Sequence, residues 1–205
     1  MNTNAPESVT ALLPDGSRVR LRPVTPEDRQ LIEQGFAQLS PRARYHRFLA
    51  PADHLSPRQL AYLSEVDHHD HVAWGVIDGD DAVAVGRWVR FAADPTAADV
   101  ALTVLDSHQR RGIGRLLIGV LAVSARARGV GTLHFDVLAE NTAMNGLLRS
   151  LRAERRSEDE VVHHVLDVTG VSPPRIVDGD LVQVLERARR DYASGSSSRL
   201  SEFTQ

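Results

Sequence analysis

The 205-residue chain contains no cysteine. Disulfides, thiol nucleophiles and cysteine zinc sites are excluded at once. Lysine is missing as well, so all 24 basic residues are arginine. With it go the phosphate-gripping lysine of a P-loop, Schiff-base catalysis and the ATP-contacting lysine of a kinase. A GC-rich coding bias accounts for an arginine-only chain without invoking function. No apolar run approaches the roughly 20 residues that cross a bilayer, and no charged-then-apolar leader opens the chain. A soluble, cytoplasmic protein without membrane contact is the expectation. The net charge of −3 gives no general pull toward nucleic acid. The length suits one substantial domain with a real core.

Punctuation and periodicity divide the chain. Residues 1–8 read as a flexible end. Residues 9–13 and 18–23 read as a hairpin across Pro14-Asp15-Gly16-Ser17, where proline fixes φ and glycine supplies positive φ. Three helices follow, each started by Ser or Thr before Pro, at Thr25, Ser40 and Ser56. Residues 71–78 and 82–91 form a second hairpin around Asp78-Gly79-Asp80. A loop at 92–98 leads to a strand at 99–105. Ile113, Leu116, Leu117, Val120 and Leu121 make the apolar stripe of a helix over 112–128, stopped by Gly129. A strand at 133–139, a short helix at 141–151, a strand at 160–168 and a helix at 181–192 complete the order. That order is one α/β domain, more strictly α+β, over 9–170. An extension with a helix covers 171–193, and 194–205 reads as a disordered tail.

The junction 102–118, LTVLDSHQRRGIGRLLI, carries the chemistry. A strand ends, a polar turn follows, and a helix starts on glycines. A helix N-terminus leaves N–H groups unpaired and carries partial positive charge, and glycine lets an anion come close. Position 117 is Leu, which breaks the G-x-G-x-x-G of a dinucleotide fold. What remains, Gln109-Arg110-Arg111-Gly112-Ile113-Gly114, resembles the R/Q-x-x-G-x-G/A diphosphate loop of the GNAT acyltransferases. The resemblance implies a central mixed, mostly antiparallel sheet flanked by helices and splayed at the acyl-CoA site, with a bulge in the strand before the loop. It implies acetyl-CoA as cosubstrate. Its contacts would come from Leu102, Thr103 and Val104, then Gln109, Arg110, Arg111, Gly112, Ile113, Gly114 and Arg115, with Asn141 on the pantetheine arm. Asn141 has an equal alternative as the cap of the helix that Thr142 begins. The stretches RVRLRPVTPED, LSPRARYHRFLAP, LSEVDHHDHVA and VGRWVRF resemble the catalytic domain of bacterial protein lysine acetyltransferases, which act on acyl-CoA synthetases and related proteins.

Acetyl transfer needs a neutral amine, and a lysine of pKa about 10.4 is neutral in roughly one molecule in 2,500 at pH 7. Asp99 is the candidate base. Relatives typically carry glutamate there, and aspartate is one methylene shorter, within reach through a water. The alternative role for Asp99 is to cap a strand start. By the same resemblance, a backbone N–H near residues 102–104 would stabilise the oxyanion. The tyrosine that commonly serves as general acid is replaced by Leu148.

Other groups invite weaker readings. Asp67-His68-His69-Asp70-His71 offers ligand types, but adjacent residues rarely converge on one ion, and no metal is expected. A solvated loop or an acceptor-cleft wall fits better. His163 and His164 face opposite sides of a strand. Arg42, Arg44 and Arg47 read as a solvated helix face. Trp74 and Trp88 would pack across the second hairpin. Three functions follow: an N-acetyltransferase acting on protein lysine, one acting on a small amine, or a non-catalytic acyl-CoA-binding module. A lysine-free chain cannot acetylate its own side chains.

Overall fold

The first hairpin forms as expected, with β1 (Val9–Leu12) paired to β2 (Arg18–Pro23). It belongs to a computed structural model that describes residues 7–156 and 160–202. The Asp15 carboxylate closes the turn by accepting the Ser17 N–H at 2.9 Å. Most of the end expected at 1–8 lies outside the described residues.

Each Ser/Thr-Pro start is real, with one adjustment. Thr25 opens a 3-10 turn, Pro26–Asp28, before α1 (Arg29–Gln38). The Asp28 carboxylate accepts the Thr25 N–H at 2.8 Å and clamps Arg22 at 2.5 Å. Ser40 and Ser56 accept N–H bonds from Ala43 and Gln59 and start α2 (Pro41–Phe48) and α3 (Pro57–Ser64). These bonds satisfy donors that a helix start would otherwise leave bare.

The second hairpin is β3 (His71–Asp78) with β4 (Asp81–Arg90). Then come β5 (Ala97–Val104), α4 (Ile113–Arg126), β6 (Thr132–Leu138), α5 (Thr142–Ser150), β7 (Glu154–Arg155), β8 (Val161–Asp167), β9 (Ile176–Asp178) and α6 (Leu181–Glu202). The sheet order is β7-β8-β6-β5-β4-β3-β2-β1-β9. Every pairing is antiparallel except β5 with β6.

Helices cover both faces. On one face α4 buries Ile113, Leu117, Ile118 and Leu121 against Trp74, Trp88, Ala98, Leu133 and Phe135. On the other, α1 to α3 bury Phe36, Leu39, Leu60 and Leu63 with Leu105. The two tryptophans share a face but are offset. Trp74 stands opposite Gly86, and Trp88 opposite Val72. Trp88 donates its indole N–H to Ser124 on α4 at 3.0 Å.

Two expectations are corrected, the 92–98 loop and the C-terminal tail. The 92–98 loop is a tight turn. Asp94 accepts the Thr96 N–H at 2.9 Å, and β5 starts at Ala97. The two- and three-residue strands β7 and β9 are too short to show a period in sequence. The C-terminal segment, whose docking the sequence leaves open, packs on the domain. β9 pairs with β1, and Leu181, Val184 and Leu185 of α6 enter the main core. α6 also runs on to Glu202, where a disordered tail was expected. Its Ser/Gly-rich end extends a helix already nucleated by 181–192, and propagation costs far less than nucleation. Among the described residues, no helix is long and apolar enough to cross a membrane.

Candidate active site

β5 and β6 pair through only three residues, Ala97, Ala98 and Asp99 against Thr132, Leu133 and His134. Both strands then continue without pairing to each other, β5 to Val104 and β6 to Leu138. The wedge between them opens a cleft of about 810 Å³. Its walls include residues 100–104 of β5, residues 135–137 of β6, residues 109, 110 and 112–115, the start of α5, and Ala43, His46 and Arg47 of α2. The splay needs no bulge in β5, contrary to the sequence expectation. Its register with β4 runs unbroken from Ala98 to Val104.

The register also sorts the β5 backbone. Leu105 N–H reaches Val83 and Phe91 N–H reaches Ala97. Antiparallel pairing alternates, so the polar groups of Asp99, Ala101 and Thr103 serve β4. Those of Leu102 and Val104 face the cleft. Leu102 and Val104 are therefore the oxyanion donors to consider, and the Thr103 backbone is committed elsewhere.

The helix start at the cleft mouth is an anion cradle by geometry. Gly112 caps α4 at φ 91° with no side-chain cap. A Cβ there would lie 2.7 Å from Pro14 Cδ, so only glycine fits. Arg110 also takes positive φ, 64°. The N–H groups of residues 110–115 have no protein acceptor among the described residues, and the first intrahelical bond runs from Leu116 to Gly112. Consecutive N–H groups turned the same way favour phosphate oxygens.

The arginines divide. Arg110 and Arg115 line the cleft, and Arg115 donates to Ser150 at 2.5 Å. The Arg111 side chain does not. It turns away to Asp78 at 2.6 Å, Ser17 at 3.2 Å and Asp15 at 3.5 Å, pinning the loop to both hairpins. The side chain is therefore held on the far side by two carboxylates, while the Arg111 backbone N–H stays in the cradle. Gln109 holds the turn by donating to the Val104 carbonyl and to Asp106. Asn141 lines the cleft and also accepts the Met144 N–H at 3.2 Å, so its oxygen caps α5. Leu148 is fully buried in the core, while Met144 and Leu147 face the cleft.

Asp99 sits at the closed end, one residue before the walls begin. Its carboxyl is pushed above the ordinary range, first by lost hydration and then by the negative charge of Asp136. Arg47, the Val100 N–H and His163 pull the other way. Arg47 reaches inward rather than standing on a solvated helix face. Burial pushes its guanidinium down, and Asp99 offsets part of that. Beside it the buried Arg87 donates to the Leu63 carbonyl and meets His71 at 3.1 Å. Burial lowers Arg87 to about 9, still protonated at neutral pH.

Sequence reasoning missed the groups that register brings to this face. Asp136 lines the cleft and contacts His163 at 2.7 Å, and His163 contacts His134 at 3.2 Å. His46 on α2 meets Glu140 across the cleft at 3.0 Å. Only cross-strand partners could have revealed these. The 67–71 cluster does not converge. Asp67 accepts three backbone N–H bonds, from His69, Asp70 and His71, while His68 is buried and Asp70 pairs with Arg90. It is a folded turn and not a solvated loop.

Residues 35–151 match the model of the acetyltransferase (GNAT) family. The chain belongs to the GNAT acetyltransferases. It is 38% identical over 168 residues to the acetyltransferase Pat of Mycolicibacterium smegmatis, covering 77% of this chain and 49% of Pat. The chain thus spans about half the length of that relative. An acetyltransferase of Pseudomonas aeruginosa is 29% identical over 75% of this chain and 86% of its own. Among solved structures, the GNAT domain of S. lividans PAT superimposes with a TM-score of 0.74 at 29% identity, over 78% of this chain and 96% of that domain. A cAMP-binding acyltransferase from Mycobacterium smegmatis superimposes at 0.63 with 31% identity, over 91% of this chain and 56% of that one. GNAT acetyltransferases use acetyl-CoA. The cradle of free N–H groups and the wedge beside β5 suit its diphosphate and its extended arm.

Proposed function

We propose that this chain transfers the acetyl group of acetyl-CoA to the ε-amine of a protein lysine. The observation that carries the reading is the wedge between β5 and β6, closed by Asp99 at one end and by the free N–H groups of 110–115 at the other. The loop would hold the diphosphate, and the edge of β5 would pair with the pantetheine amides. The Leu102 and Val104 N–H groups would stabilise the oxyanion. Asp99, poised high for a carboxylate, would take the amine proton directly or through one water. The deprotonated amine attacks the thioester carbon; a C–N bond forms, the C–S bond breaks and the CoA thiolate leaves. With Leu148 in the core, no tyrosine at that position protonates the thiolate.

Likeness to Pat supports a protein acceptor. An acyl-CoA synthetase in the cytoplasm is the acceptor class we put forward. Nucleic acid, membrane and metal have no part in this reading. The test is thiol release from acetyl-CoA with an acyl-CoA synthetase, and separately with polyamines, amino acids and aminoglycosides. Lysine acetylation of the synthetase supports the reading. Turnover with a small amine alone moves the assignment to a small-amine acetyltransferase. Tight acetyl-CoA binding with no turnover makes the chain an acyl-CoA-binding module.

A further inference from the structure

The half of the sheet beyond β5 carries a row of titratable side chains on the Asp99 face. In register, Asp99 stands beside His134, His134 beside Val165, and Asp136 beside His163. All share one face, because paired residues point the same way. The side chains are joined. The His134 and His163 rings meet at 3.2 Å, His163 meets the Asp136 carboxylate at 2.7 Å, and His134 meets the Thr132 hydroxyl at 3.3 Å. Asp136 lines the cleft, while His163 lies one strand further out with a third of its side chain exposed.

We propose that His134 and His163, held by Asp136, are the exit for the proton that Asp99 removes from the acceptor amine. The inference rests on the acetyltransferase reading above and on Asp99 as its base. Asp99 is exposed in the free chain, and an acceptor seated over it would cut it off from bulk water. The histidine pair reaches from the register position beside Asp99 to His163 on β8, whose side chain is a third exposed. The proton leaves the amine as its N–H bond breaks and the carboxyl of Asp99 takes it. It passes to the imidazole pair, where the Asp136 carboxylate stabilises the imidazolium. It then leaves to water, restoring both the carboxylate and the neutral rings. Nothing is oxidised or reduced. Burial, and after it His163 and Arg156, hold His134 below its ordinary value, so it returns the proton readily. The charged groups around the pair are Asp99 on β5, Asp94 in the turn before it, Asp136 on β6, and Glu154 with Arg156 at β7. His163 and His134 act here as positioning residues for proton flow; neither touches the acetyl group.

The test compares wild type, His163→Asn and Asp99→Asn in acetyl-CoA thiol release at low and high imidazole buffer. Asparagine keeps an N–H where His163 Nδ1 stood, so the bond to Asp136 survives, but it cannot carry a proton. We expect His163→Asn to bind acetyl-CoA normally and to turn over about tenfold or more slower at low buffer. Imidazole buffer should restore most of that rate, while wild type stays independent of buffer. Two results overturn the exit: an unchanged His163→Asn rate, or a loss that buffer does not restore. A fully active Asp99→Asn instead removes the base itself.

Discussion

Asp99 and His134 form the last parallel pair between β5 and β6, and the cleft begins one residue beyond them. The pairing that ends the sheet contact thus fixes where the carboxylate stands relative to the wedge. Asp99 is strained electrostatically at that point, since lost hydration and Asp136 both disfavour its charge. A carboxyl whose pKa is raised by folding destabilises the fold when ionised. That cost is absent where the group is protonated in both states, and it is complete above the folded-state value. Asp99→Asn should therefore melt higher than wild type at pH 7. The gap should close as pH falls through the ordinary aspartate range. Thermal melts at pH 3.5 to 8, in steps of about half a unit across the ordinary aspartate range, check this; a gap that does not vary with pH contradicts it.

Gly112 and Gly114 should respond differently to alanine. Gly112 holds φ 91° and has Pro14 2.7 Å from its missing Cβ. The left-handed backbone alone costs about 1–2 kcal/mol for alanine, and the clash displaces the loop. Gly112→Ala should lose both stability and acetyl-CoA affinity. At Gly114 the nearest atom is the flexible Leu147 Cδ2 at 3.3 Å. Gly114→Ala should stay within about 0.5 kcal/mol in stability. Titration calorimetry and melts on the two variants decide it.

Arg111 should act as a pin. If it bound the diphosphate directly, neutralising Asp78 would free it and tighten acetyl-CoA binding. Because it holds the loop through Asp78 at 2.6 Å, Asp78→Asn should weaken binding as Arg111→Ala does. Affinities of the two single variants, measured at one salt concentration, distinguish the cases.

The His46–Glu140 contact spans the cleft from α2 to the loop before α5. One partner is largely exposed, so the pair contributes about 0–1 kcal/mol. Glu140→Ala should speed acetyl-CoA entry and release by up to about fivefold, with kcat little changed unless release limits it. Stopped-flow binding measures both rates; unchanged rates show that the contact does not restrict the cleft.

Much of this was legible in the sequence because it is local. The glycines at 112 and 114, the Ser-Pro helix starts at 40 and 56, and the hairpin at 78–80 each depend on a few adjacent residues. Those signals placed the strand–turn–helix junction at 104–113 and the family resemblance correctly. What escaped depends on register. Nothing near His163 announces Asp136 and His134, which lie 27 and 29 residues away and meet it only when β6 and β8 pair. The partners of the Arg111 side chain escaped as well, because its two carboxylates come from separate hairpins. The bulge expected in β5 is absent since the strands part simply by ending their pairing at Asp99.

The most direct measurement is a single turnover of bound acetyl-CoA with wild type and Asp99→Asn, using the acceptor that the panel identifies and following thiol release. The account predicts equal acetyl-CoA affinity and a rate about 10²- to 10⁴-fold lower in the variant. Transfer by Asp99→Asn at the wild-type rate would contradict it.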